Sequence, residues 1–282
     1  VGLLRTEFMF EASTVEPSIE EQFEAFKSIA EPLADRTLII RTADIGGDKP
    51  VSWLNMPKEE NPFLGVRGIR LSLRNEAMLR NQLSAIYKTS LWQQAQGIKS
   101  GIHIMFPMIA TLAEWQKAKA IAEQVRIELG ATYLPLGIMI EIPSAALLAD
   151  HFAKEVDFFS IGSNDLTQYT LAMDRLHPSL AAEADSYTPA LLRLIHMTTK
   201  AAEANGKWVG VCGNMAADPN MAAILVGLGV TELSVSPANV PAVKYFIRSI
   251  SYQKLKQKSQ LALTKSCAAE VHELYENRDE LV

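Results

Sequence analysis

Arginines, carboxylates and one cysteine placed just beyond apolar runs are the residues of this chain best suited to chemistry. They are Arg5 in GLLRTEF, Arg41 in LIIRTADIGGDK, Arg67 in NPFLGVRGIR, Arg175 in LAMDR, Glu141 in IMIEIP, Asp165 in SIGSND and Cys212 in VGVCG. A guanidinium stays charged in a confined site and grips phosphoryl oxygens through parallel N–H donors. Two carboxylates are hard oxygen ligands of the kind Mg takes, its other positions being left to water and substrate oxygens. Together these groups suit a Mg-bound phosphorylated acid. Cys212 adds a proton donor for a carbanion or enolate, because a thiol with a reference pKa of about 8.5 titrates close to working pH.

Each of these residues also has a plainer reading. Glu141 and Asp165 stand where they could cap the helices that follow, although the pair on neighbouring strands speaks for metal. Arg5 and Arg41 each end a β-type run and precede a Thr, so burying either without an anion is costly. Arg67, in a Gly-rich stretch, serves equally well to hold a long loop by an ion pair. Cys212 is as readily a small buried filler as an acid, and Gly213 after it lets the backbone turn close to a ligand. His103, His151, His177, His196 and His272 are scattered, with no pair at metal-ligand spacing, and His103 reads as a strand residue.

The elements that must position these groups alternate. Short β-rich runs fall at residues 2 to 5, 37 to 41, 101 to 106, 135 to 140, 156 to 161, 207 to 211 and 231 to 235, and their lack of strict alternation marks buried strands. Helical patterns fall between them at 18 to 34, 74 to 95, 112 to 129, 144 to 153, 188 to 205, 216 to 227 and 239 to 249. Strand then helix, repeated, predicts parallel pairing with right-handed crossovers, and a (β/α)8 TIM-type barrel whose active site lies at the C-terminal strand ends. Such a barrel has eight strands, so the first strand-helix unit is expected to lie ahead of Val1. A segment from Asp44 to Gly65, with Gly46, Gly47, Pro50, Pro57 and Pro62, is too long for an ordinary βα loop and reads as functional. The whole of 1–282 is expected to form one barrel domain, with an amphipathic helical tail over 251–282.

Composition narrows the function classes. With 282 residues, 48% hydrophobic and 21% charged, the chain is ordinary globular material. Its 27 Lys and Arg against 32 Asp and Glu give a net charge of -5, which argues against a nucleic-acid partner. The longest apolar stretches, such as 101 to 110, fall short of the roughly 20 residues of a membrane helix, so no membrane insertion is expected. Two cysteines, Cys212 and Cys267, are too few for a disulfide framework and fit a reducing, cytoplasmic setting.

GLLRTEF, RTADIGGDK, PKEENPFLGVRGIR, EIPSAA, KEVDFFSIGSNDLTQYTLAMDR and GKWVGVCG resemble the C-terminal phosphoenolpyruvate-binding domain of enzyme I of the bacterial sugar phosphotransferase system, a domain that multiphosphoryl transfer proteins share. The resemblance runs from residue 2 to about residue 248. It implies that Arg5, Arg41 and Arg175 bind the phosphoryl group, with Asn164 and Asp165 completing the substrate contacts and Arg67 and Lys49 lining the site. It further implies that Glu141 and Asp165 hold Mg and that Cys212 protonates the enolate to pyruvate. The acceptor in that family is a histidine on a separate N-terminal domain, which passes the phosphoryl group to a phosphocarrier protein, and the family is dimeric through this domain. The chain departs from the family at Ser163 in GSND, at Ile142 where Thr is usual, and at Asn214 where a Glu usually follows the Cys-Gly pair. Two other readings remain open on the residues alone: a Mg-dependent carbon–carbon lyase or aldolase acting on pyruvate-like enolates, and a non-catalytic dimerisation module.

Overall fold

Near-continuous apolar runs become strands buried on both faces, the pattern of a parallel sheet covered by helices. The computed structural model describes residues 1–47 and 49–276. The chain divides into two compact units, Val1–Ile138 and Met139–Val282.

In the first unit, α1 (Glu7–Glu11) and α2 (Ile19–Ala30) precede β1 (Leu38–Arg41). After it come α3 (Ile69–Arg74), α4 (Glu76–Ala95), β2 (Ile102–Phe106), α5 (Leu112–Glu128) and β3 (Leu136–Ile140). β1 pairs with β2 in parallel, Arg41 standing opposite Met105, and β2 pairs with β3 in parallel. Capping boxes start α2 at Ser18 with Glu21 and α5 at Thr111 with Glu114. The insertion after β1 turns through Gly46, which bridges to both Lys49 and Arg67. Gly46 has φ +96°, and a Cβ there would collide with the Val66 carbonyl oxygen, so only glycine fits. The insertion is anchored by a small apolar core in which Trp53, Leu54 and Val66 pack against Phe10, Ile45, Val51 and Leu71.

β3 runs across the division, and its last residues stand beside β4 (Phe158–Gly162) in the second unit. α6 (Pro143–Leu147) and α7 (Ala149–Phe152) lie between the two strands in sequence. Beyond β4 come α8 (Ser163–Leu171), α9 (Leu180–Glu183), α10 (Pro189–Ala204) and β5 (Trp208–Cys212). They are followed by α11 (Asn214–Ala217), α12 (Pro219–Gly227), β6 (Glu232–Ser234), α13 (Val240–Arg248), α14 (Tyr252–Ala262) and α15 (Ala268–Glu276). β4, β5 and β6 pair in parallel, with Gly162, Cys212 and Ser234 in one register row. In the tail, Leu255, Val271 and Tyr275 are buried, and Ser259 donates to the Ile224 carbonyl at 3.1 Å. Leu261, which the tail pattern also marks as apolar, is exposed.

Six strands form among the described residues where the sequence pattern counts seven. The run at 2 to 5 contributes a single parallel bridge, Leu4 to Ile40, with Leu4 N–H donating to Ile39 O at 2.8 Å. Thr6 already has helical backbone angles ahead of α1, so the ladder stops there. The expected helix over 216 to 227 is two pieces, because Asp218 is held extended before Pro219 and caps α12 by accepting from Met221 N–H at 2.8 Å. No helix among the described residues is long and apolar enough to cross a membrane.

Candidate active site

The end of β1 carries a charge cluster built on Asp44. Arg67 donates to it twice, Nε to Oδ1 and Nη2 to Oδ2, each at 2.9 Å. Lys49 Nζ reaches Oδ2 at 3.0 Å and Arg41 Nη2 lies 3.5 Å from the same oxygen. Glu7, at the start of α1, accepts from Arg41 Nη2 at 3.1 Å and from the Asp44 backbone N–H at 2.8 Å. Thr6 and Gln82 brace the strand end: Thr6 Oγ1 donates to Arg41 O at 3.0 Å, and Gln82 Oε1 accepts from Ala43 N–H at 2.8 Å. Arg41, Asp44, Arg67 and Glu7 are all buried. Burial pushes the Asp44 carboxyl up, but the charge of Arg41, the hydrogen bonds and charge of Arg67, and Lys49 together outweigh it and hold Asp44 well below the usual carboxylate range.

The second unit carries the other candidates. Glu141 follows β3 and is buried; a Cβ on Gly162, at the end of β4, would lie 2.8 Å from its Oε2. The glycine therefore makes the room the carboxylate occupies. Asp165, in the first turn of α8, accepts from Arg175 Nη1 at 3.0 Å, and Gln168 Oε1 accepts from the Arg175 backbone N–H at 3.0 Å. Ser163 Oγ donates to Cys212 O at 2.9 Å, and Asn164 Oδ1 accepts from the Asn214 backbone N–H at 3.3 Å. That last bond is made by backbone, so the Asn at 214 leaves it intact. The Cys212 thiol donates to Ile161 O at 3.5 Å, with Ser160 Oγ 4.0 Å from the sulfur. Neither Cys212 nor Cys267 is in a disulfide.

Within the first unit, then, Arg41, Lys49 and Arg67 come together on one carboxylate. Arg67 is fully buried in a bidentate pair, the loop-holding arrangement weighed from the sequence. Arg5 does not join them: it is exposed. Within the second unit, Asp165 and Arg175 pair directly, while Asn164 and Cys212 are linked through the β5–α11 turn. Sequence reasoning passed over Glu7 and Asp44, although an acid two residues after Arg5 and another three after Arg41 were visible. Two buried or nearly buried carboxylates at strand ends are a donor set that fits Mg. Among the described residues no three His, Cys, Asp or Glu side chains gather as a metal group.

Gly213 shapes this turn. It has φ +101°, and a Cβ there would lie 2.5 Å from Ser163 Oγ and 3.0 Å from Asn164 Oδ1. Gly213→Ala is expected to destabilise the chain by about 1–3 kcal/mol through backbone strain alone and to push Asn164 aside. Unfolding in urea measures the first effect, and an unchanged midpoint would refute it.

The fold first places the chain in a broad class. It resembles Haloferax volcanii malate synthase, solved as its lead(II) complex, with a TM-score of 0.54 and 17% identity over 83% of this chain and 59% of that one. Sequence comparison is far more specific. The chain is 51% identical to a multiphosphoryl transfer protein of Rhodobacter capsulatus over 97% of its own length and 32% of the relative's. It is 43% identical to a phosphoenolpyruvate-protein phosphotransferase of Staphylococcus carnosus over 98% of its length and 48% of the relative's. Residues 1–252 match the family described as PEP-utilising enzyme, PEP-binding domain, and the chain belongs to that family. It spans 32% of the length of the first of these relatives and 48% of the second.

Proposed function

We propose that this chain binds phosphoenolpyruvate with Mg and releases its phosphoryl group to a histidine on another domain, leaving pyruvate, as the first step of sugar phosphotransferase transport. The observation that carries the reading is the buried, cross-braced cluster in which Arg41, Lys49 and Arg67 converge on Asp44 at the end of β1. Arg5, Arg41 and Arg175 bind the phosphoryl oxygens, and Asn164 and Asp165 complete the substrate contacts. Arg67 acts through Asp44, holding Arg41 and Lys49 in place. Mg, held by Glu141 and Asp165, supplies polarisation of phosphoryl and enolate oxygens when bound. Catalysis of such a transfer is mostly positioning and electrostatics, which a buried, cross-braced charge cluster supplies. Once the phosphoryl group has left, Cys212 gives its proton to the enolate carbon, and this step makes pyruvate formation strongly favourable.

The finer parts of the reading go with it. Residues 1–282 act as one functional domain of the (β/α)8 TIM-type barrel class, working as a homodimer in the cytoplasm. The phosphoryl group passes on to a phosphocarrier protein. The likeness to malate synthase speaks for the fold alone and does not favour a lyase.

Calorimetry tests the binding step. Phosphoenolpyruvate is expected to bind only with Mg or Mn present, and more tightly than pyruvate. Arg41→Lys should weaken it, since the charge stays but the planar fork is lost. Binding indifferent to chelator, or equal affinity for both ligands, would refute the proposal.

A further inference from the structure

The insertion after β1 encloses a cavity against the α3–α4 junction, with a volume of about 470 Å³. Leu54, Met56, Val66 and Leu71 line it, and Lys58 and Arg74 stand in its wall. Glu59, the carboxylate in the same wall, is already engaged: its two oxygens accept from Val66 N–H at 2.9 and 3.2 Å. A Cβ on Gly65 would collide with that carboxylate, so the glycine leaves the room it occupies. Lys58 and Arg74 are exposed, and among the described residues neither makes a hydrogen bond or an ion pair.

Small-molecule sites are typically concave, about 300–1,000 Å³, mostly apolar and furnished with a few placed polar groups. This cavity has that size and lining, and the charged groups of its wall that stay uncommitted are both cations. We propose that it is a second ligand site, which takes an amphiphilic carboxylate: an apolar body against Leu54, Met56, Val66 and Leu71, and a carboxylate held by Lys58 and Arg74. The site is distinct from the phosphoryl-binding residues, yet its wall is continuous with them. Gly47 lines it, and a Cβ on Gly47 would lie 3.4 Å from Arg67 Cδ. A ligand seated there braces the loop that carries Lys49 and Arg67.

The probes are butanoate, hexanoate and octanoate, with 1-octanol as the uncharged control, titrated into the 282-residue chain. Affinity is read by calorimetry, and location by the methyl NMR shifts of Leu54, Met56 and Val66. Saturable binding is expected, tightening about fourfold per added CH₂ as apolar surface leaves water. The double variant Lys58→Glu/Arg74→Glu, at exposed positions, should bind octanoate about tenfold more weakly while binding 1-octanol as before. Octanoate saturation without shifts at these methyls would overturn the proposal, as would an affinity unchanged by charge reversal. Methyl shifts that follow protein concentration instead of octanoate would also overturn it, by making a second copy of the chain the occupant.

Discussion

Asp44→Asn is expected to destabilise the chain by about 3–5 kcal/mol, the usual effect of removing one partner from a buried ion pair. The substitution keeps the shape and deletes the charge, so no cavity is made. Arg67 loses its entire bidentate carboxylate, while Arg41 keeps Glu7. Lys49, a quarter exposed, is re-solvated and contributes little. A shift of the urea midpoint at constant slope measures the effect; a loss below about 1 kcal/mol would remove the clamp from the account. The pH dependence has a definite sign. Asp44 has a folded-state pKa held below its unfolded value of about 3.9. Its contribution is therefore fully present above that value and lost as pH falls below it, through the depressed folded value. The acid limb of the wild-type stability curve should flatten in Asp44→Asn.

The other large effect concerns Cys212. Cys212→Ala should slow solvent-deuterium incorporation into the methyl group of pyruvate, with Mg present, by a factor of about 10² to 10⁴, the range of general acid–base catalysis. Phosphoenolpyruvate affinity should hardly change, because the thiol carries no charge to the phosphoryl group. Stability should change little on account of hydrogen bonding, since the lost bond is a long S–H to carbonyl contact at 3.5 Å. NMR of the pyruvate methyl provides the measurement. Exchange that survives in Cys212→Ala but disappears in Ser160→Ala would transfer the role to the hydroxyl lying 4.0 Å from the sulfur.

Strand positions were legible because burial on both faces writes itself as apolar runs. Leu38–Arg41, Ile102–Phe106 and Trp208–Cys212 each fall within a residue or so of the pattern. A capping residue announced the start of α2 at Ser18, but the one at Asp218, which caps α12, was read through. The first strand was overread, since an apolar run ending in Arg5 has strand composition whether or not its next residue turns into a helix. The charged residues at the strand ends were legible as chemistry, but their partners were not. Arg67 and Asp44 are 23 residues apart and Asp44 and Glu7 are 37 apart, so no local spacing shows that they meet. Arg5 and Arg41 look alike in sequence, each last in its run and followed by Thr. Only tertiary placement separates an exposed guanidinium from one enclosed by two carboxylates.

Trp208 opens β5 and lies flat on Phe158 at the start of β4, the rings 4.6 Å apart and inclined by 2°. It is the sole tryptophan of the second unit; Trp53, Trp92 and Trp115 all belong to the first. The two strands it spans end at Gly162 and Cys212. With the other three indoles replaced by phenylalanine, the tryptophan fluorescence of the chain would come from Trp208 alone. A red shift on unstacking would time the separation of β4 from β5 without any added dye. The chain thus carries an intrinsic optical probe on the strand pair that presents its thiol.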